Sequence, residues 1–319
     1  KRSQLIGKSA EIIHTSHKTF EEFGKKAFDQ VRKQEVVNLE WPFKTKTGRK
    51  IWFRIAGDPV MGQEEVLWTV VDITERVEAQ NRIEELASKL SKYLSPQVYR
   101  SIFSGQKNVQ IEANRKKLTV FFSDIKDFTE LTDRLEPEVL SSLLNSYLNE
   151  MSKIALKYGG TIDKFVGDAI LIFFGDPETN GEKADATSCV LMALEMRERM
   201  EFMRQIWEDE GISKPLNIRI GINTGYCNVG NFGSEDRLDY TIIGGEVNLA
   251  SRLESNASVG QILVSHETYS LIKNSITCEE RQEINVKGLA HKVRTYQVID
   301  TKEKNEKGVK AKLRKQIGG

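Results

Sequence analysis

Apolar positions along this chain switch between two periods, and the switches mark out its elements. Phe20 to Arg32 repeats with the spacing of an amphipathic helix, and Val36–Phe43, Ile51–Ala56 and Val66–Ile73 then read as strands rich in β-branched and aromatic residues. A polar turn at Lys46-Thr47-Gly48-Arg49 parts the first two. From Thr74 to about Phe103 the pattern is helical again. Ala79, Ile83, Leu86, Leu90 and Tyr93 step by four, three, four and three residues, the seam of a short coiled coil, with Arg82, Glu84, Glu85, Lys89 and Lys92 off the seam. Ser95-Pro96 interrupts this run, and Gln97 to Phe103 begins a new helix.

A second block opens with a strand at Lys117–Phe122. Pro137 starts a helix that aligns Val139, Leu140, Leu143, Leu144, Tyr147, Leu148 and Met151 on one face and stops at Gly159-Gly160. Thr161–Val166 and Ala169–Phe174 meet at Gly167-Asp168, a hairpin signal. A long helix from Glu182 to Glu208 comes next, then strands at Asn217–Asn223, Tyr226–Phe232 and Asp239–Ile243 and a helix at Val247–Ser255. A strand at Gln261–Val264, a helix at His266–Lys273 and a closing hairpin of Gln282–Val286 with Val293–Ile299 complete the block. Strands and helices in this order predict an antiparallel sheet flanked by helices, an α+β ferredoxin-like core.

Composition narrows the function. The 319 residues suit about two domains. Their 47 basic and 46 acidic side chains nearly cancel, which removes any overall electrostatic case for nucleic acid. The three cysteines, Cys189, Cys227 and Cys278, are too scattered for a disulfide framework or a zinc site, and a cytoplasmic location fits. No apolar run reaches the length of a spanning helix, although a parent protein starting before Lys1 can carry membrane or sensory segments.

Two aspartates carry the chemistry. Asp124 follows the Lys117–Phe122 strand and Asp168 sits at the hairpin turn, so rigid elements deliver two hard oxygen ligands. Mg²⁺ or Mn²⁺ needs little more, because Mg²⁺ usually takes one or two protein carboxylates and leaves its other positions to water and phosphate. Asn248 and Arg252 lie four residues apart and share one side of a helix.

Taken together, Phe-Phe-Ser-Asp124-Ile-Lys-Asp-Phe-Thr, Lys164-Phe-Val-Gly-Asp168, Asp-Tyr-Thr241-Ile-Ile-Gly-Gly-Glu-Val-Asn248-Leu-Ala-Ser-Arg252-Leu-Glu and Val-Lys287-Gly resemble, in order, the catalytic domain of class III nucleotidyl cyclases, and specifically of adenylate cyclases. The resemblance implies a metal-binding set of Asp124, Ile125 and Asp168 for two divalent cations, Mg²⁺ or Mn²⁺. It gives Asn248 the ribose and Arg252 the α-phosphate, and it makes Lys287 the family's phosphate-binding lysine. Lys164 and Thr241 would read adenine, since guanylate cyclases of the class tend to carry Glu and Cys or a similar residue there. The threonine departs from the aspartate of many animal membrane-bound enzymes and resembles a bacterial and soluble subclass often stimulated by bicarbonate, so bicarbonate activation is an expectation. The family draws its metal and adenine residues from one subunit and its Asn and Arg from another, which implies a homodimer with shared sites. A guanylate cyclase and an inactive, cyclase-like regulatory subunit are the alternatives.

Lys-Thr-Gly-Arg-Lys-Ile-Trp-Phe and the closing Asp72-Ile73-Thr74-Glu75-Arg76 resemble the last strands of a PAS domain. The expected division is thus 1–73 as a partial PAS domain, 74–115 as a coiled-coil signalling helix and transducer linker, 116–300 as the cyclase domain and 301–319 as a basic flexible tail.

Overall fold

The computed structural model describes residues 6–33, 35–59, 66–91, 93–103, 111–212, 216–234, 236–285 and 292–305. They form two units that divide after Tyr93. Among the described residues, no helix is long and apolar enough to cross a membrane.

The first unit begins with a 3-10 turn, Ala10–Ile13, and the helix α1, His17–Arg32. α1 starts three residues before Phe20 because Ser16 and Thr19 cap each other: the Ser16 hydroxyl accepts from the Thr19 N–H at 3.2 Å and the Thr19 hydroxyl accepts from the Ser16 N–H at 2.9 Å. Strands β1 (Val37–Lys44), β2 (Lys50–Pro59) and β3 (Val66–Asp72) form an antiparallel sheet in that order. Its core joins Trp41, Phe43 and Ile55 to Phe23 of α1. Helix α2, Thr74–Leu90, is tied to β2 by the Thr74 hydroxyl, which accepts from the Trp52 N–H at 2.9 Å. It ends at Leu90, a few residues before the expected break at Ser95-Pro96, and its stripe of Ile83, Leu86 and Leu90 is exposed.

The second unit starts with helix α3, Pro96–Phe103, and strand β4, Glu112–Ile125. Helices α4 (Phe128–Thr132) and α5 (Pro137–Lys157), strands β5 (Thr161–Val166) and β6 (Ala169–Phe174), helix α6 (Glu182–Asp209) and strand β7 (Ile218–Gly233) come after them. The sheet order β7-β4-β6-β5 is that of a ferredoxin-like βαββαβ unit. Strand β8 (Leu238–Ile243), helix α7 (Gly245–Asn256), strand β9 (Ile262–Ser265), helix α8 (His266–Ile272) and strands β10 (Ile276–Ile284) and β11 (Val293–Thr301) extend it beyond β7.

β4 is buried on both faces. Phe121 packs with Tyr147, Met151, Met192 and Met196 of α5 and α6, while Leu118 and Val120 pack with Cys227 of β7 and Ala250 of α7. Three expectations need correction. Asn217–Asn223 and Tyr226–Phe232 are one strand, because β7 pairs with β4 without a register shift from Ile218 to Asn231 and Thr224-Gly225 makes no turn. The sheet is not wholly antiparallel, since β9 runs parallel to β7 after the α7 crossover. β10 starts at Ile276, six residues before the expected Gln282: its polar Glu279–Glu283 run hides an edge strand that pairing with β11 enforces. The start of the basic tail, residues 302–305, makes a helical turn, and Lys304 is bonded to Glu198 of α6 at 2.5 Å.

Candidate active site

Asp168 reaches its position through a two-residue turn. Val166 pairs with Ala169 and leaves only Gly167 and Asp168 between β5 and β6. Gly167 has φ 66° and Asp168 does not share the positive φ, the pattern of a type II′ hairpin that places glycine first. The Asp168 carboxylate then crosses to the end of β4, where its Oδ2 accepts from the Ile125 N–H at 3.1 Å. Burial first, and then the neighbouring Asp124 carboxylate, push its pKa up to about 6. The two acids therefore meet, at a cost.

Asp124 has a second neighbour. Antiparallel register sets Arg219 of β7 opposite it, and Arg219 Nη2 donates to Asp124 Oδ2 at 3.0 Å while standing 2.9 Å from Glu254 Oε1 on α7. Burial raises the Glu254 pKa, and the Arg219 charge opposes that rise. Neither Arg219 nor Glu254 stands among the sequence-predicted site residues, yet both carried a signal. Arg219 is a charge inside Ile218-Arg219-Ile220-Gly221-Ile222, and Glu254 falls on the apolar side of α7 with Ala250 and Leu253. A buried charge in such a place needs a partner.

Lys164 of β5 and Thr241 of β8 also come together, through a residue that sequence reasoning missed. A β-bulge between Ile162 and Lys164 turns Asp163 out of the ladder. Its side chain, 1% exposed, accepts at Oδ2 from the Thr241 hydroxyl at 2.6 Å and the Ile242 N–H at 3.2 Å, and Lys164 Nζ lies 3.5 Å from its Oδ1. Burial pushes the Asp163 pKa up, with Thr241 and Lys164 acting against it.

Asn248 and Arg252 share the exposed side of α7. Among the described residues, no hydrogen bond or ion pair joins either one to Asp124 or Asp168. α7 lies so close to β7 that a Cβ on Gly221 would stand 2.2 Å from the Glu254 nitrogen and 2.3 Å from the Ala250 oxygen. Lys287 lies outside the described residues.

The strand-end acid pair, the bulged cluster of Asp163, Lys164 and Thr241 and the helix exposing Asn248 and Arg252 all fall inside one stretch of the chain. The family model for adenylate and guanylate cyclase catalytic domains matches residues 110–300. The chain belongs to that family. This cyclase chain is similar to the crystallised adenylyl cyclase CyaB from P. aeruginosa, with 64% identity and a TM-score of 0.58 over 60% of this chain and 97% of the other. The guanylyl cyclase Cya2 gives 34% identity and a TM-score of 0.58 over 60% of this chain and 96% of that one. The terminal-differentiation-specific adenylate cyclase of Dictyostelium discoideum is 33% identical over 74% of this chain, which spans 11% of that relative's length. The chain spans 34% of the length of adenylate cyclase 1 of Rhizobium meliloti (strain 1021).

The acid pair of this cyclase fits a divalent cation. Two carboxylates that meet in a half-buried site disfavour each other's charge, as the raised Asp168 pKa records, and a dication between them reverses that penalty. The described residues hold no group of three or more His, Cys, Asp or Glu ligands. A two-carboxylate site of this kind suits Mg²⁺ or Mn²⁺ bound together with water and phosphate. The hydrocarbon side chain of Ile125 offers a cation no ligand atom, so Ile125 can contribute only its backbone.

Proposed function

We propose that this chain is an adenylate cyclase that converts ATP to 3′,5′-cyclic AMP and pyrophosphate. The observation that carries the reading is the Asp168 carboxylate bonded across to the Ile125 N–H beside Asp124, so that two strand ends offer one acidic pair. Asp124, Asp168 and the backbone of Ile125 would hold Mg²⁺ or Mn²⁺, which when bound supplies charge neutralisation for the triphosphate and a more acidic ribose 3′-hydroxyl. The 3′-hydroxyl gives its proton to solvent water and its oxygen bonds to the α-phosphorus as the bond from the α-phosphorus to the α,β-bridging oxygen breaks, and pyrophosphate leaves in line.

Asn248 orients the ribose, and Arg252 donates its fork to charge building on the α-phosphate. Lys287 serves the other phosphates. Lys164 donates to a ring nitrogen of adenine and Thr241 accepts from the 6-amino group. The 64% identity to a protein named an adenylyl cyclase supports ATP over GTP. Because Asn248 and Arg252 face outward from α7, they serve the acid pair of a second copy, and the active form is a homodimer. The first unit is a partial PAS sensor whose signal passes through a coiled coil built on Ile83, Leu86 and Leu90. Bicarbonate activation belongs to the same proposal, and a flat activity curve against bicarbonate at constant pH and salt rejects it.

The deciding test incubates the purified protein with ATP or GTP and Mg²⁺ or Mn²⁺ and measures cyclic nucleotide and pyrophosphate. Equal yields of cyclic AMP and pyrophosphate, with little product from GTP, are expected. No cyclic product from ATP sinks the proposal.

A further inference from the structure

We infer that Asp163 sets the nucleotide preference by fixing the direction of the Thr241 hydroxyl, so that Thr241 presents only lone pairs to the base. The inference rests on the reading of this chain as a cyclase whose base contacts are Lys164 and Thr241, and it adds a residue that does not itself touch the base. A free threonine hydroxyl is ambiguous, because it donates one hydrogen bond and accepts two. It could therefore serve the 6-amino group of adenine or the 6-oxo group of guanine.

The cluster removes that ambiguity. An ionised Asp163 carboxylate has only lone pairs to offer, and its Oδ2 accepts from the Ile242 N–H at 3.2 Å and from Thr241. The Thr241 hydroxyl donates to it, with 2.6 Å between the two oxygens. The Lys164 ammonium 3.5 Å from Oδ1 favours the charged carboxylate. The bulge in β5 is what brings Asp163 inward beneath both residues, leaving its side chain 1% exposed and beyond the reach of a nucleotide. With its hydrogen committed, the Thr241 oxygen can accept from an amino group and meets a 6-oxo group lone pair to lone pair. A neutral side chain thereby acts as a fixed acceptor.

Steady-state kcat/KM for ATP and for GTP is measured in the wild type, Asp163→Ala, Asp163→Asn, Thr241→Val and the double variant Asp163→Ala with Thr241→Val. The ATP-to-GTP ratio should fall roughly tenfold in Asp163→Ala, as expected for one lost hydrogen-bond discrimination. Asp163→Asn, whose amide carbonyl can accept both bonds, should stay within about threefold of wild type. Thr241→Val should fall as far as Asp163→Ala, and the double variant no further. An equal loss with both nucleotides in Asp163→Ala, which a merely structural role would give, overturns the inference. If Thr241→Val lowers the ratio and Asp163→Ala leaves it unchanged, the inference fails while the base reading stands. An unchanged ratio in Thr241→Val, or no cyclic product from the wild type, removes the base reading and the inference with it. Should Asp163→Ala not fold, purine riboside triphosphate, which keeps N1 but lacks the 6-amino group, serves on the wild-type protein. A loss of roughly fivefold or more relative to ATP, with GTP no better a substrate than purine riboside triphosphate, supports the fixed acceptor, whereas GTP used more efficiently than purine riboside triphosphate shows a hydroxyl that can still donate and overturns it.

Discussion

At the residue scale the site is a set of charges held where charge is costly, and Asp168 shows how that cost can be measured. An acid whose folded pKa exceeds its unfolded value keeps its proton longer in the native state, so it lowers stability as pH climbs. For Asp168 the loss begins near the ordinary value of 3.8 and is complete above about 6. Asp168→Asn removes the charge, and an asparagine carbonyl can still accept from the Ile125 N–H. In metal-free protein the variant should therefore be more stable than wild type by about 1 kcal/mol at neutral pH, allowing for solvent screening, or roughly 2–4 °C in melting temperature. The difference should vanish below pH 4 and shrink when Mg²⁺ is added, and thermal melts across pH with and without EDTA would check it. A wild type more stable than the variant in EDTA at pH 7 would contradict the pairing. The same substitution should lower the metal-dependent rate by about 10² or more, since several kcal/mol of charge stabilisation is lost. Asp124 and Asp168 were legible in the sequence because turn and strand-end chemistry exposes them. Asp163, Arg219 and Glu254 were less so: Asp163 needs the bulge, while Arg219 and Glu254 show only as charges among apolar neighbours, and the sheet register and the seat of α7 on β7 supply their partners.

At the element scale, local patterning located most helices and strands, and it failed where tertiary pairing overruled composition. Thr224-Gly225 reads as a turn, yet it runs through the middle of β7 because β4 offers an unbroken ladder. The polar Glu279–Arg281 stretch reads as loop, yet it pairs with β11 at the sheet edge. The capping of α1 by Ser16 was visible in principle, since Ser-x-x-Thr precedes the apolar repeat. The close seat of α7 on β7 could not be read in advance, because a glycine in a strand does not say what approaches it. Gly221 meets helix backbone, which cannot rotate away as a side chain can. Gly221→Ala should lift α7 from the sheet and cost on the order of 3 kcal/mol. Gly225 faces the flexible side chain of Glu246, and Gly225→Ala should cost less. Denaturant unfolding of both variants tests the order, and the reverse order would mean that α7 yields more readily than its contacts suggest.

At the scale of the whole molecule, the proposed homodimer has Asn248 and Arg252, exposed on α7, serve the acid pair of a second copy. Arg252→Ala should lower the rate by about 10²–10³, the usual loss when one donor to developing charge is removed. Mixed with Asp124→Asn it should regain activity, because a heterodimer holds one site with both acids and both outward residues intact. No recovery, with subunit exchange verified by a size or tag measurement, would count against shared sites. The exposed stripe on α2 extends the argument to regulation. In an α-helix each added residue rotates the downstream side chains by about 100°. Two residues inserted after Leu86 would rotate the downstream stripe by about 200°, away from a partner helix. Seven residues restore it to within about 20°. If α2 pairs with its copy and passes torque to the catalytic domains, the two-residue insertion should change basal cyclase activity several-fold while the seven-residue insertion changes it far less. Both variants keep every residue of the site, so loss of catalytic machinery cannot explain a difference between them. Equal activities, with dimer formation confirmed for each, would leave α2 without a mechanical role and place regulation elsewhere in the chain.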